Sequence, residues 1–294
     1  MRDKEERMKR RSILAATGGL ALTGIGSVKA SRSNNQSNDL NDNANDQSEY
    51  EGSISIDEDE PGEKEDWEEM VTDRLEGRPE YSDTDDVTSQ TVAGSDPDLE
   101  NLEYEDHWKS ETEPTRSCTP GSDFEGETEH VLTAFKVVDP DTSEHVTDSN
   151  GDYRYVIELW SQLEEESNTS WNCPTVYWSE LDWELNSNSN NTTFHGRDPS
   201  SKETIDDERI TVSYSYSAGG VSYGSEDVVR VDDGVFGADS WTPGPGGKYE
   251  VSWEGEEDLV DIIAFADIAT SCKINFDGGC GTGLEWGWSL STGP

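Results

Sequence analysis

Leu259 to Ile268 reads LVDIIAFADI, a nearly continuous apolar run in a chain of 294 residues that is only 30% hydrophobic. A run this short and rich in isoleucine fits a central strand buried on both faces. The flanking segments alternate instead. Tyr153, Tyr155, Ile157, Leu159 and Leu163 fall on one side of a strand, with Asp152, Arg154, Glu158 and Gln162 on the other. Ile210, Val212, Tyr214 and Tyr216 repeat the two-residue period, and Ala218-Gly219-Gly220 turns the chain back to Val221 and Tyr223. Tyr249, Val251 and Trp253 do the same, as do Leu284, Trp286, Trp288 and Leu290. Roughly ten such strands, separated by Gly, Asn, Asp and Pro turns, leave no room for a long helix. The expected fold is all-β: a single antiparallel β-sandwich or jelly roll over residues 117–294, without internal repeats.

Upstream the composition changes. Residues 31–116 hold 28 acidic and 6 basic residues, and Ser31 to Ser48 is almost entirely Ser, Asn, Asp and Gln. Such a segment cannot bury enough surface to order itself, so disorder is expected through most of it. One island stands out. After Pro61-Gly62, the residues Trp67, Met70, Val71 and Leu75 recur at helical spacing until Gly77 and Pro79, predicting an amphipathic helix at 63–76 that docks on the folded domain.

Residues 1–30 carry an address. Arg2, Lys4, Arg7, Lys9, Arg10 and Arg11 precede a weakly apolar stretch, ILAATGGLALTGIGSV, and Val28-Lys29-Ala30 offers small residues where a signal peptidase reads. The string KRRSIL, with its Arg10-Arg11 pair, resembles a twin-arginine export signal. The resemblance implies cleavage after Ala30 and an extracellular mature chain. The apolar stretch is shorter than the roughly 20 residues a membrane span needs. No membrane span is expected.

The charge of −45 excludes nucleic-acid binding through a basic face. Residues 1–30 contribute 7 basic and 3 acidic residues, so the mature chain has 14 against 63, a charge of −49 over 264 residues. Self-repulsion of that size opposes compaction in dilute buffer, and molar salt screens it within about 3 Å. Few lysines, many carboxylates and a twin-arginine signal together resemble secreted proteins of halophilic archaea. The acids are spread along the chain, so they report a saline solvent more than a ligand site.

Four cysteines, Cys118, Cys173, Cys272 and Cys280, lie in the β region. An even count in an exported chain predicts two disulfides, with three pairings open. The Cys272–Cys280 loop is the easiest to close. Zinc is disfavoured because no two cysteines are spaced C-x-x-C. Asn35, Asn168, Asn190 and Asn191 stand in N-x-S/T sequons and are candidate glycosylation sites, which places 187–193 on the surface.

The search for chemistry returns mostly negatives. Gly220-Val221-Ser222-Tyr223-Gly224 matches a nucleophile elbow, but a strand follows it and every histidine (His107, His130, His145, His195) precedes it. Asp148-Ser149-Asn150-Gly151-Asp152 alternates oxygen ligands but lacks a calcium loop's glycine and closing Glu, and Asn150-Gly151 reads better as a hairpin turn. Acidic turns bind calcium loosely without a motif, so loose calcium is the only cofactor reading left open, and no metal site is assigned. A blue-copper site is excluded because the only methionines are Met1, Met8 and Met70.

The best catalytic candidate is ELDWE, Glu180 to Glu184. It resembles the E-x-D-x-E strand of laminarinase- and lichenase-type glycoside hydrolases, which are jelly rolls. The resemblance implies Glu180 as nucleophile, Glu184 as acid/base and Asp182 tuning the pair; strand alternation puts all three on one face, where Trp178 joins them as a candidate sugar platform. The competing reading makes Tyr177, Leu181, Trp183 and Leu185 a core face and the three carboxylates an ordinary solvated edge. Eight of ten tryptophans lie in 117–294, enough to fill a core and expose a few. The leading expectation is a secreted, salt-adapted, non-enzymatic β-sandwich whose tryptophan-rich face binds an unknown extracellular ligand, carbohydrate or cell surface. The alternatives are the hydrolase and an antimicrobial precursor losing residues 31–116.

Overall fold

A computed structural model describes residues 48–76, 101–119, 122–166, 177–206, 210–218, 220–229, 233–257, 259–274 and 280–293. Two antiparallel sheets pack face to face. The first runs β1 (Ser48–Ser55), β15 (Leu284–Gly293), β6 (Tyr177–Ser187), β13 (Lys248–Glu257), β11 (Asp233–Thr242), β8 (Glu203–Asp206). The second runs β12 (Gly244–Pro245), β7 (Thr192–Asp198), β14 (Leu259–Thr270), β5 (Tyr153–Glu166), β4 (Ser122–Val137), β2 (Leu102–Thr112), with β3 (Thr115–Thr119) also on β4. A separate hairpin, β9 (Ile210–Ala218) with β10 (Val221–Val229), lies against β14 and β7. This is the expected β-sandwich.

The apolar run becomes β14, held between β5 and β7 with every residue after Leu259 buried. The facing layer is aromatic. Leu181, Trp183 and Leu185 of β6, Tyr249, Val251 and Trp253 of β13, and Trp286, Trp288 and Leu290 of β15 are all buried. His130 of β4 crosses into that layer, stacked on Trp288 with ring centroids 4.3 Å apart and edge-on to Trp286 at 6.1 Å. Its Nδ1 meets the Ser161 hydroxyl at 2.6 Å, and burial holds its pKa down to about 3. The ring therefore sits in the core as a neutral aromatic.

The alternation in β5 misled in one respect. Arg154 and Glu158, on the polar side of that alternation, are buried. The buried charge is compensated: Arg154 pairs with Asp267 of β14, and the Trp160 indole N–H donates to Asp261 Oδ1 at 2.8 Å. Buried charges persist only when so partnered.

The acidic segment also departs from expectation. Disorder was expected through most of residues 31–116, yet 48–55 form the edge strand beside β15 and 102–112 the edge strand beside β4. The sandwich therefore starts well before residue 117. Tyr50, Gly52 and Ile54 of β1 turn inward at alternate positions and Glu49, Glu51 and Ser53 outward, a pattern that gains burial only once β15 is present. The predicted helix is α1 (Lys64–Glu76). Its Trp67 and Val71 are buried, with the Trp67 ring 4.6 Å from Tyr104 and 6.0 Å from Phe135. Lys64 bridges Glu68 one turn on.

Removing one partner of the buried pair should be severe. Arg154→Met takes the cation away from the buried Asp267 carboxylate and should cost about 3–5 kcal/mol in urea unfolding followed in molar salt, while the double change Arg154→Met/Asp267→Leu should recover most of that loss.

Candidate functional site

Glu180, Asp182 and Glu184 share the outward face of β6, as their two-residue spacing dictates. They do not lie on an edge, because β6 is an interior strand between β15 and β13. Pairing brings Glu184 opposite Glu250 and Gly287, and Asp182 opposite Ser252 and Ser289. A register shift between Ala238 and Ser240 of β11 places Asp239 beside them. An open groove of about 420 Å³ results, with Asp182, Glu184, Asp239, Glu250 and Ser289 as its polar lining. Of the three ELDWE carboxylates, Glu180 is not in that lining.

Two lysines rim the groove. The Lys248 ammonium reaches Glu184 at 2.6 Å and also holds Glu250, while Lys202 reaches Asp239 at 2.7 Å and Glu254 at 3.8 Å. The Ser240 hydroxyl donates to Glu250, and Asn186 Nδ2 to Glu184 Oε1 at 3.0 Å. Lys202 pulls Asp239 below its ordinary pKa, and Lys248 does the same for Glu250. Asp182 goes the other way: burial, reinforced by the Glu180 and Asp239 charges, raises it to about 6. It is the groove's group that changes charge near neutrality.

Trp178 does not join the carboxylates. Shifts opposite Glu254/Glu257 and Ser291/Thr292 break the alternation at that end of β6, and Trp178 is fully buried. A sugar platform is lost with it. Trp67, Trp108, Trp160, Trp183, Trp253, Trp286 and Trp288 are buried as well. Trp241 is half-buried, with Arg197 over its face at 4.7 Å and Phe194 and Tyr249 against it. Eight of the nine described indoles are therefore buried in the core and Trp241 is half-buried, so the described residues present no cluster of exposed tryptophans. Trp171 lies outside the described residues.

The remaining candidates divide. Cys272 and Cys280 are disulfide-bonded; Cys173 and the side chain of Cys118 lie outside the described residues. So do Arg10, Arg11, Ala30, Asn35 and Asn168. Asn190 is exposed, but Asn191 is tied down, its Nδ2 donating to the Gly281 carbonyl at 3.0 Å. The Thr192 hydroxyl that completes the Asn190 sequon is buried and donates to the Thr282 carbonyl at 2.7 Å. Asp148 Oδ1 accepts the Asn150 and Asp152 amides at 2.7 and 3.1 Å, so the turn stands on its own hydrogen bonds. Ser222, in the elbow-like string, is the second residue of β10, paired with Ser217 of β9. No group of three His, Cys, Asp or Glu among the described residues is arranged to hold a metal ion.

Sequence reasoning missed Asp239, Glu250 and Ser289. Each is an outward residue with nothing local to mark it, and only sheet register brings them beside Asp182. No family model matches this chain, and no curated protein matches it.

Carbon-detected NMR of the Asp182 carboxyl should give a titration midpoint of about 6. Glu180→Gln removes a like charge and should lower it; Lys202→Gln removes an opposite charge and should raise it. Because folding raises this pKa, the Asp182 carboxylate opposes folding at neutral pH, and that contribution fades as pH falls through about 6.

Proposed function

We propose that this is an exported, salt-adapted, non-enzymatic β-sandwich that binds an extracellular ligand or surface through the open acidic face of its first sheet. The observation carrying this reading is the groove itself, an indented part of a sheet whose other face is wholly used in packing. Its lining sets four carboxylates and a serine beside Trp183, Val251, Gly287 and Trp288, a mixed surface suited to cationic or hydroxyl-bearing groups.

The hydrolase reading draws support from one feature, the raised pKa of Asp182 between two glutamates. Spacing counts against it. The pairing of β6 with both neighbours runs without a break from Glu180 to Asn186, so the Glu180 and Glu184 Cα atoms stay about 13 Å apart. Retaining hydrolysis wants carboxyl groups about 5–5.5 Å apart, inverting about 6.5–9.5 Å. Lys248 also turns Glu184 toward Glu250. The precursor reading is disfavoured because cleavage after Arg116 would cut inside β3, between strands of one sandwich that include β1 and β2.

Four experiments test the proposal. Labelled protein in molar salt should be retained by cell envelopes of the producing organism, and Asp182→Asn/Glu250→Gln should weaken retention while the domain still unfolds in one cooperative transition. Retention indifferent to these changes would sink the groove as the binding face. The same protein should leave β-1,3- and β-1,4-glucans intact; reducing ends that vanish in Glu180→Gln or Glu184→Gln would establish the hydrolase instead.

The melting temperature should climb steeply between low and molar salt, as expected for a mature chain of charge −49. A flat curve would assign the acidity another purpose. Replacing Arg10 and Arg11 by Lys should leave precursor inside the cell, and unchanged secretion would remove the twin-arginine reading.

A further inference from the structure

We propose that residues 48–76, strand β1 with helix α1, form a separable clasp that the rest of the domain recognises as it would a ligand, from its own chain or from a second copy of it. The contacts that hold this unit run to residues at or beyond Leu102, and they are specific as well as apolar. Its strand adds to the sheet through β15 alone, in unbroken antiparallel register from Ser48 opposite Thr292 to Ser55 opposite Glu285. That is recognition by strand addition, in which main-chain pairing gives affinity and side-chain fit gives selectivity.

Three points supply the fit. Gly52 lies under the Trp288 ring, and a Cβ there would sit 2.4 Å from Cζ2 of an indole already stacked on His130, so that place in the strand admits only glycine. Two residues past the strand, the Asp57 carboxylate accepts the backbone N–H groups of Thr282 and Gly283 at 2.9 and 2.6 Å and the Thr282 hydroxyl at 3.1 Å. Trp67 then seats against Tyr104 and Phe135. Two further bonds span the gap: Trp108 Nε1 to the Asp59 carbonyl at 3.1 Å, and the Gly62 N–H to the His107 carbonyl at 2.8 Å.

Twenty-five residues separate Glu76 from Leu102. Stretched, they reach about 80 Å, far enough to carry the clasp to a neighbouring molecule. The covalent link raises the clasp's effective concentration at its own domain; the selectivity lies in the seat.

The test uses the full chain with a specific protease site inserted between Ser89 and Gln90, folded in molar salt and then cut. Light scattering after size exclusion should give the mass of the whole chain. Release of the clasp, with the remainder either monomeric or aggregated, would overturn the proposal. Isotopically light and heavy cut preparations, mixed, unfolded in guanidinium and refolded without reductant, should give hybrid masses in native mass spectrometry. Parental masses alone, or loss of the two-chain species, would also overturn it. Gly52→Val should lose its clasp on cutting yet stay a folded monomer when uncut, which separates a weakened seat from a failure to fold.

Discussion

A strand buried on both faces cannot be satisfied by one neighbouring layer. β14 is such a strand, and the rest of the structure follows from what must cover it. One face meets the aromatic layer of the first sheet, where tryptophans from β6, β13 and β15 interlock, Trp183 against Trp286 at 5.6 Å and Trp286 against Trp288 at 5.5 Å. The hairpin β9–β10 lies against β14 as well. With 30% hydrophobic residues the chain has little apolar surface to distribute. Concentrating it on β14 and its covers leaves the outer strand faces to carboxylates.

That division explains the lysines. Lys109 touches Glu111 and Glu129, Lys136 touches Glu103 and Glu105, Lys202 touches Asp239 and Glu254, and Lys248 touches Glu184 and Glu250. Each ammonium serves two carboxylates and most link neighbouring strands. Exposed pairs of this kind are individually worth little. Their value here is in placing scarce positive charge where strand pairing crowds the acids most. Asp182 is left half-buried between these pairs, and that burial, with Glu180 and Asp239 near it, raises its pKa to about 6.

The connection between β14 and β15 ties the two sheets and the clasp together. It carries the Cys272–Cys280 disulfide, the Ile274 N–H bonded to the Tyr155 hydroxyl, and the Thr282 carbonyl bonded by Ser187 and Thr192. Asp57 docks on the same segment. The groove and the clasp thus flank β15 from opposite sides, β6 on one and β1 on the other.

Local patterns were decisive where a segment carries its own burial signal. The two-residue period of β13 and β15, the apolar run of β14, the glycine turn between β9 and β10, the helical spacing of Trp67 and Val71, and the short closable Cys272–Cys280 loop were all legible. Each depends on residues within a few positions of one another. Tertiary structure alone decided the rest. Residues 48–55 are too polar to order by themselves and become a strand only because β15 offers an edge and Trp288 a place for Gly52. Trp178 turns inward because register shifts opposite it break an alternation that the sequence shows as continuous. Arg154 is buried because Asp267, distant in sequence, meets it. The groove exists because register sets Asp239 and Glu250 beside Asp182. Long-range pairing fixes these placements, and a period read along one strand holds no information about which strand will lie next to it.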